Sequence, residues 1–272
     1  MTRTLCVCAD DYGMTDGISS GILRLARARR IGAISCITTG VSWKHAAKRL
    51  SGVPDSIDIG LHLNLTEGRP VSTALAAHWR EMPRLSTLIV RAHLGMLPRA
   101  ELRDELKAQV LRFVNGVGRA PRFIDGHQHV HHLPGIRDIL LEVAAGMRPA
   151  PALRNTGRLL GPGFASKRWL IEKTGGRALQ TQLLAHGFAH NPALLGSYDF
   201  VQQDYRSLVQ QWLAELPPEG GLLFCHPGEH DAANGGIHDA IAASRMRELA
   251  YLQSAEFDVD LAEADVRLGH VW

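Results

Sequence analysis

Short apolar runs alternate along this chain with stretches whose apolar positions recur every three to four residues. That is the pattern of buried strands separated by one-sided helices. Residues 4–9 (TLCVCA) form a nearly continuous apolar run that stops at Asp10, which suits a strand covered on both faces. Over 16–30, Ile18, Ile22, Leu25 and Ala26 make a helical stripe, with Asp16 as the expected N-cap. Residues 33–39 are β-branched and strand-like, 43–50 read as a short helix, and 57–63 (IDIGLHL) as a strand with a polar exit. Over 101–115, Leu102, Leu106, Val110 and Phe113 share one helical face. Further strands are expected at 122–125, 152–155 and 220–226, further helices at 135–145, 204–216 and 239–254, and a last short strand near Phe257–Val259. Residues 66–100 are less regular, with Pro70, Pro83, Pro98, Trp79 and arginines at 69, 80, 84, 91 and 99. They read either as a lid or substrate-binding insertion, or as a solvated connector with one helix. Residues 161–198 are mixed, with weak periodicity.

Alternating strands and helices with apolar strands imply a parallel sheet covered by helices. Polar, chemically able residues recur where the strands end: Asp10 and Asp11, His62 and Asn64, Asp125 and His127, Arg154, His226. An open doubly wound sheet gathers ligands at one switch point, whereas a barrel gathers many strand ends on one face. Five contributing strands favour a (β/α) TIM-like barrel of the α/β class. With no linker or internal repeat in view, residues 1–272 are expected to form one domain.

Composition narrows the class without changing the fold. The 272 residues carry 30 basic and 27 acidic side chains, too balanced for a nucleic-acid binder. No apolar run approaches the ~18 residues of a membrane span, and the N-terminal run is too short for a signal peptide. Cys6, Cys8, Cys36 and Cys225 sit in apolar strand contexts and read as reduced core residues of a cytoplasmic protein. Histidine is the unusual residue: 14 copies, four of them within 127–132.

Two adjacent carboxylates at the end of a buried strand, Asp10 and Asp11, are costly unless something positive lies beside them. Their side chains should diverge, one toward a metal and one toward substrate; the plainer alternative is an acidic turn that caps a helix. His62 in GLHLN is either a satisfied core residue or a ligand. In DGHQHVHH, His127, His129 and His131 would share one face if extended, and Asp125 could bind a histidine N–H from behind; the alternative is a surface loop. His226 leaves a strand directly before Pro227-Gly228 and could serve as a general acid. Arg154 could orient a carboxylate or bind substrate. Patterns for dinucleotide, P-loop and serine-hydrolase sites (GxGxxG, GxxxxGK[ST], GxSxG) are absent. A carboxylate with two histidines from three strands suits a divalent ion that holds a water, and so metal-assisted hydrolysis.

Together, ADDYG at 9–13, GLHLN at 60–64, IDGHQHVHHLP at 124–134 and CHP at 225–227 resemble the YdjC-like carbohydrate deacetylases, in order and spacing over most of the chain. The resemblance implies a distorted (β/α) TIM-like barrel and hydrolysis of the N-acetyl group of an acetylated amino sugar, a chitooligosaccharide or glycolipid, with one divalent ion, Mg2+ or Zn2+. It implies Asp11, His62 and His127 as metal ligands, Asp10 as general base, and His226 as acid or oxyanion stabiliser. This chain has Gly126 and Gln128 where the family often has serine and histidine. Other expectations are a small-molecule partner and no nucleic acid, with a homodimer left open. The competing readings are a metal-dependent hydrolase of another bond, such as a phosphoester, and a non-catalytic carbohydrate-binding barrel.

Overall fold

A computed structural model describes residues 2–231 and 239–272. In chain order the elements are β1 (Arg3–Tyr12), α1 (Asp16–Arg27), β2 (Ala33–Cys36), α2 (Trp43–Arg49), β3 (Asp58–Leu63), α3 (Thr73–His78), α4 (Leu85–His93), α5 (Arg99–Val117), β4 (Phe123–Gly126) and α6 (Ile136–Ala145). They continue with β5 (Ala152–Leu153), α7 (Ala165–Ile171), α8 (Arg177–His186), β6 (Leu194–Leu195), α9 (Tyr205–Glu215), β7 (Gly221–Cys225), α10 (Ala242–Gln253), α11 (Ala255–Glu263) and β8 (Val266–Leu268). The strands pair in parallel, in the order β5-β4-β3-β2-β1-β7-β6, with β8 beside the start of β1. The sheet curls into a half-barrel. Across the gap between β5 and β6, the Leu153 N–H reaches the Ala189 carbonyl at 2.9 Å, and Asn155 and Asn191 exchange hydrogen bonds.

The strands sort their side chains by parity, as period-two geometry requires. Leu5, Val7, Ala9, Ile34, Cys36, Ile59, Leu61, Ile124 and Leu153 belong to the large core under the helices. Cys6, Cys8, Ala33, Phe123, Ala152, Leu222 and Phe224 form a second core inside the curl, with Trp272 stacked on Phe123 at 4.6 Å. Small residues recur in that inner set because the closed side of a curled sheet is narrow. All four cysteines are free and buried.

Several expected boundaries move. Thr15, not Asp16, is the N-cap of α1: its side chain accepts the Ile18 N–H, and Asp16 sits in the first turn. Residues 66–100 hold two helices, α3 and α4. The expected strand at Phe257–Val259 is instead part of α11, whose buried Phe257 and Leu261 are four residues apart, a helical spacing; the last strand is β8. On α5, the expected face includes buried Glu105 and Gln109, which accept from the backbone N–H groups of Val71 and Ser72 (Glu105) and Asn64 (Gln109). A helix that buries polar groups to hold a loop is not visible as a purely apolar stripe.

Candidate metal and catalytic site

The site begins with a break in β1. Ala9 and Tyr12 pair with Ile34 and Cys36, so three steps on β1 face two on β2, and Asp11 has a positive φ of 70°. This bulge cancels the alternation that would send neighbouring side chains to opposite faces. Asp10 keeps the inward parity of Cys6 and Cys8, and Asp11 is swung to the same cavity with different partners.

Asp10 is held by Arg154, whose Nη1 and Nη2 donate to its two oxygens at 2.7 Å each. Arg154 has no exposed surface and also lies 2.5 Å from Asp125 Oδ2. Of the two roles read for it, orienting a carboxylate is the one its contacts serve, because Arg154 lies behind the cavity wall rather than in it. Asp11 Oδ2 accepts from Arg245 Nη2 at 2.8 Å, which leaves Oδ1 facing His127 Nδ1 at 3.0 Å and His62 Nε2 at 3.4 Å. Burial pushes the Asp11 carboxyl up, but Arg245 and His127 outweigh it and hold it well below the carboxylate range.

His62 projects inward from β3 with its Nδ1 2.7 Å from Asp125 Oδ1, and Ser35 Oγ donates to that same oxygen at 2.5 Å. Burial works to lower the His62 imidazolium, but Asp125, Asp10 and the bond to Asp11 raise it to about 10. Burial likewise opposes the charge on His127, and Asp11 and Glu67 raise it to about 9. Asp125, despite burial, is held at about 2 by Arg154 and His62. Asp11, His62 and His127 offer one ligand atom each, all within 4.8 Å of one another. The fit to a divalent cation is good. Two buried imidazoles turn one nitrogen each toward a shared carboxylate oxygen, and His62 is gripped from behind by a carboxylate.

The histidine run is not extended. Residues 127–132 form a tight helical turn in which Gln128 and His129 are left-handed, at φ 53° and 61°. The expected common face for His127, His129 and His131 therefore fails, because left-handed residues rotate successive side chains out of line. His127 reaches Asp11, and His129 lines the cavity against Phe224 at a ring separation of 5.1 Å. His131 bonds the Arg154 carbonyl at 3.0 Å, and His132 sits between Thr156 and Thr174. Gly126 permits the turn: a Cβ there would stand 2.8 Å from the His131 backbone nitrogen.

His226 follows β7 and lines the same cavity, half-buried. Its Nδ1 is buried without a hydrogen-bond partner among the described residues, and burial lowers it to about 4, so the ring is neutral at pH 7. Its backbone N–H donates to buried Glu248 at 2.5 Å. Just beyond it, Asp231 accepts the Gly17 N–H at the start of α1, and Glu229 pairs with Arg24. The cavity of about 410 Å³ is completed by Glu67, Lys167, Phe200, Asp239 and Arg245, among others. Sequence reasoning missed Arg245, Lys167 and Ser35. Arg245 lies on a helix with no motif, and only its contact across the fold with Asp11 reveals it.

A curled parallel half-barrel with a buried Asp-His-His cluster at its strand ends is the class this fold and site define. The sequence profile of the YdjC-like protein family matches residues 4–263, and the chain belongs to that family. It is 35% identical over 269 residues to a chitooligosaccharide deacetylase of Escherichia fergusonii, across 99% of this chain and 98% of that protein. It is 37% identical over 152 residues to a carbohydrate deacetylase of Danio rerio; that match spans 51% of this chain and 45% of the other. A crystal structure from Enterococcus faecalis V583, named for cellobiose-phosphate cleavage, superposes with a TM-score of 0.77 at 20% identity, covering 100% of this chain and 98% of that one. At that identity the likeness is one of fold. Among the described residues no helix is long and apolar enough to cross a membrane.

Proposed function

We propose that this protein removes the acetyl group from the nitrogen of an acetylated amino sugar, releasing acetate, with one divalent ion held by Asp11, His62 and His127. The observation that carries the reading is the placement of that trio beside Asp10 in one cavity. The near full-length similarity to a chitooligosaccharide deacetylase points to acetylated chitooligosaccharides as substrates. Two imidazole nitrogens suit Zn2+ better than Mg2+, which prefers an all-oxygen set.

Bound there, such an ion would supply Lewis acidity, lowering the pKa of a water and polarising a carbonyl oxygen. The chain's own residues account for the proton traffic. Asp10, fixed by Arg154, takes the proton from the attacking water and returns it to the leaving nitrogen. His226, neutral because it is buried, donates a hydrogen bond to the developing oxyanion and is not the proton source. Added cationic charge nearby only strengthens its preference for the neutral form. We further read residues 1–272 as one catalytic domain acting in the cytoplasm.

The test is acetate release from N-acetylglucosamine, acetylated chitooligosaccharides and N-acetylated glycolipids, with added Zn2+ or Mg2+ and after chelation. Acetate formed only with metal supports the reading. Phosphate release from phosphorylated sugars without acetate would replace it with a phosphoesterase, and metal uptake with no turnover would leave a binding protein.

A further inference from the structure

His62 and His127 turn opposite nitrogens to Asp11, Nε2 in the first and Nδ1 in the second. The nitrogen left over on His62 is gripped by Asp125. The nitrogen left over on His127 is buried and has no aligned hydrogen-bond acceptor, and Glu67 Oε1 stands 3.1 Å from it. Glu67 lines the cavity, and its side chain is 45% exposed.

The position of Glu67 is built. Asn64 Oδ1 accepts the backbone N–H groups of Thr66 and Glu67 at 3.0 and 3.1 Å, and Asn64 Nδ2 donates to the Glu67 carbonyl at 2.8 Å. Gln109 in turn clamps the Asn64 backbone, accepting its N–H at 3.1 Å and donating to its carbonyl at 2.7 Å. The backbone of Glu67 is thus fixed by side chains from its own loop and from α5, and its carboxylate is free to turn onto His127.

We infer that Glu67 is a positioning residue: its carboxylate holds the Nε2–H of His127, so that Nδ1 presents its lone pair to the cation. The inference rests on the metal reading above. It makes the two ligand histidines alike in being backed by a carboxylate, and unlike in access: the carboxylate behind His62 is sealed, and the one behind His127 is open to the cavity. A hydrogen bond from the far nitrogen fixes the tautomer and ring orientation of a ligating histidine, and losing it costs ~10–100-fold in metal affinity.

The experiment measures the affinity of the purified full chain for Zn2+ alone, by competition with a chelating indicator, without substrate. Glu67→Ala should weaken Zn2+ by ~10–100-fold, and Glu67→Gln, which keeps one acceptor oxygen, should recover part of the loss. The metal-free variants should still unfold in one cooperative transition, lowered only by the lost pairing with His127, because the loop itself is held by Asn64. Wild-type Zn2+ affinity in Glu67→Ala overturns the assignment while leaving the metal site standing. A wild-type protein that takes up no Zn2+ overturns both.

Discussion

Two sets of histidines lie close together in the fold and differ in what they can do. His62 and His127 are buried and pushed toward the charged form, to about 10 and about 9. His129, His131 and His132 are pushed the other way; His131 lies at about 4. Burial opposes charge in every case. The difference is the company: Asp11, Asp125 and Glu67 face the first pair, and hydroxyls, a backbone carbonyl and other histidines face the run behind. Residue type alone does not set the charge of these rings; a carboxylate within reach does.

The largest expected effect separates the two aspartates that the bulge brings together. Asp10→Asn should keep the metal and lose ~10²–10⁴ in rate, since the amide cannot take the water's proton. Asp11→Asn should lose metal and activity together and recover partly at high Zn2+. Metal analysis beside acetate kinetics decides it; near wild-type turnover in Asp10→Asn moves the base elsewhere.

Arg154 tests what holds the inner carboxylates. Arg154→Leu leaves Asp10 and Asp125 buried without their cation, and should destabilise the protein by ~3–5 kcal/mol in urea unfolding. A loss below about 1 kcal/mol would show that Arg154 is not the structural counter-charge its contacts describe.

The histidine comparison itself is broken most directly by paired substitutions. His127→Ala should weaken Zn2+ by at least the ~10–100-fold seen when only a ligand's hydrogen-bond partner is lost. The His132 ring bonds only hydroxyls, Thr156 at 2.9 Å and Thr174 at 3.1 Å, so His132→Ala should bind Zn2+ as wild type does. Equal losses would mean that the whole run, not His127 alone, serves the metal.

Most of this was legible in the sequence because period-two strands leave a readable trace. Cys6, Cys8 and Asp10 share a parity, as do Gly60 and His62, or Phe123 and Asp125, and each series ends at the site. What was illegible depends on local backbone breaks and on distance. The bulge at Asp11 and the left-handed pair Gln128-His129 break the periodicity from which side-chain direction is read. The last strand is misplaced for a different reason: Phe257 and Val259 fit a two-residue period until Leu261 completes a four-residue one. Arg245 lies 234 residues from Asp11 and carries no local signal.

A pH profile of the metal-free protein needs no substitution: its acid limb carries the histidines held neutral, and its alkaline limb carries His62 and His127. His131 has a folded pKa of about 4, below the ~6.5 of an unfolded chain, so the folded state binds fewer protons between those values. Its contribution is full above pH ~6.5 and is lost as the pH falls toward 4; His129, His132 and His226 act in the same direction. His62 and His127 have raised pKa values, so the folded state holds extra protons above pH ~6.5, and their contribution is lost as the pH rises through 9 and 10. The melting midpoint should therefore peak between the limbs and fall on each side, at roughly 2–4 °C for each kcal/mol of stability lost. Zn2+ requires neutral imidazoles, so loading should flatten the alkaline limb and leave the loss due to His131 in place. A metal-free midpoint that does not fall on the alkaline side would remove the carboxylate company as the reason His62 and His127 differ from the run behind them.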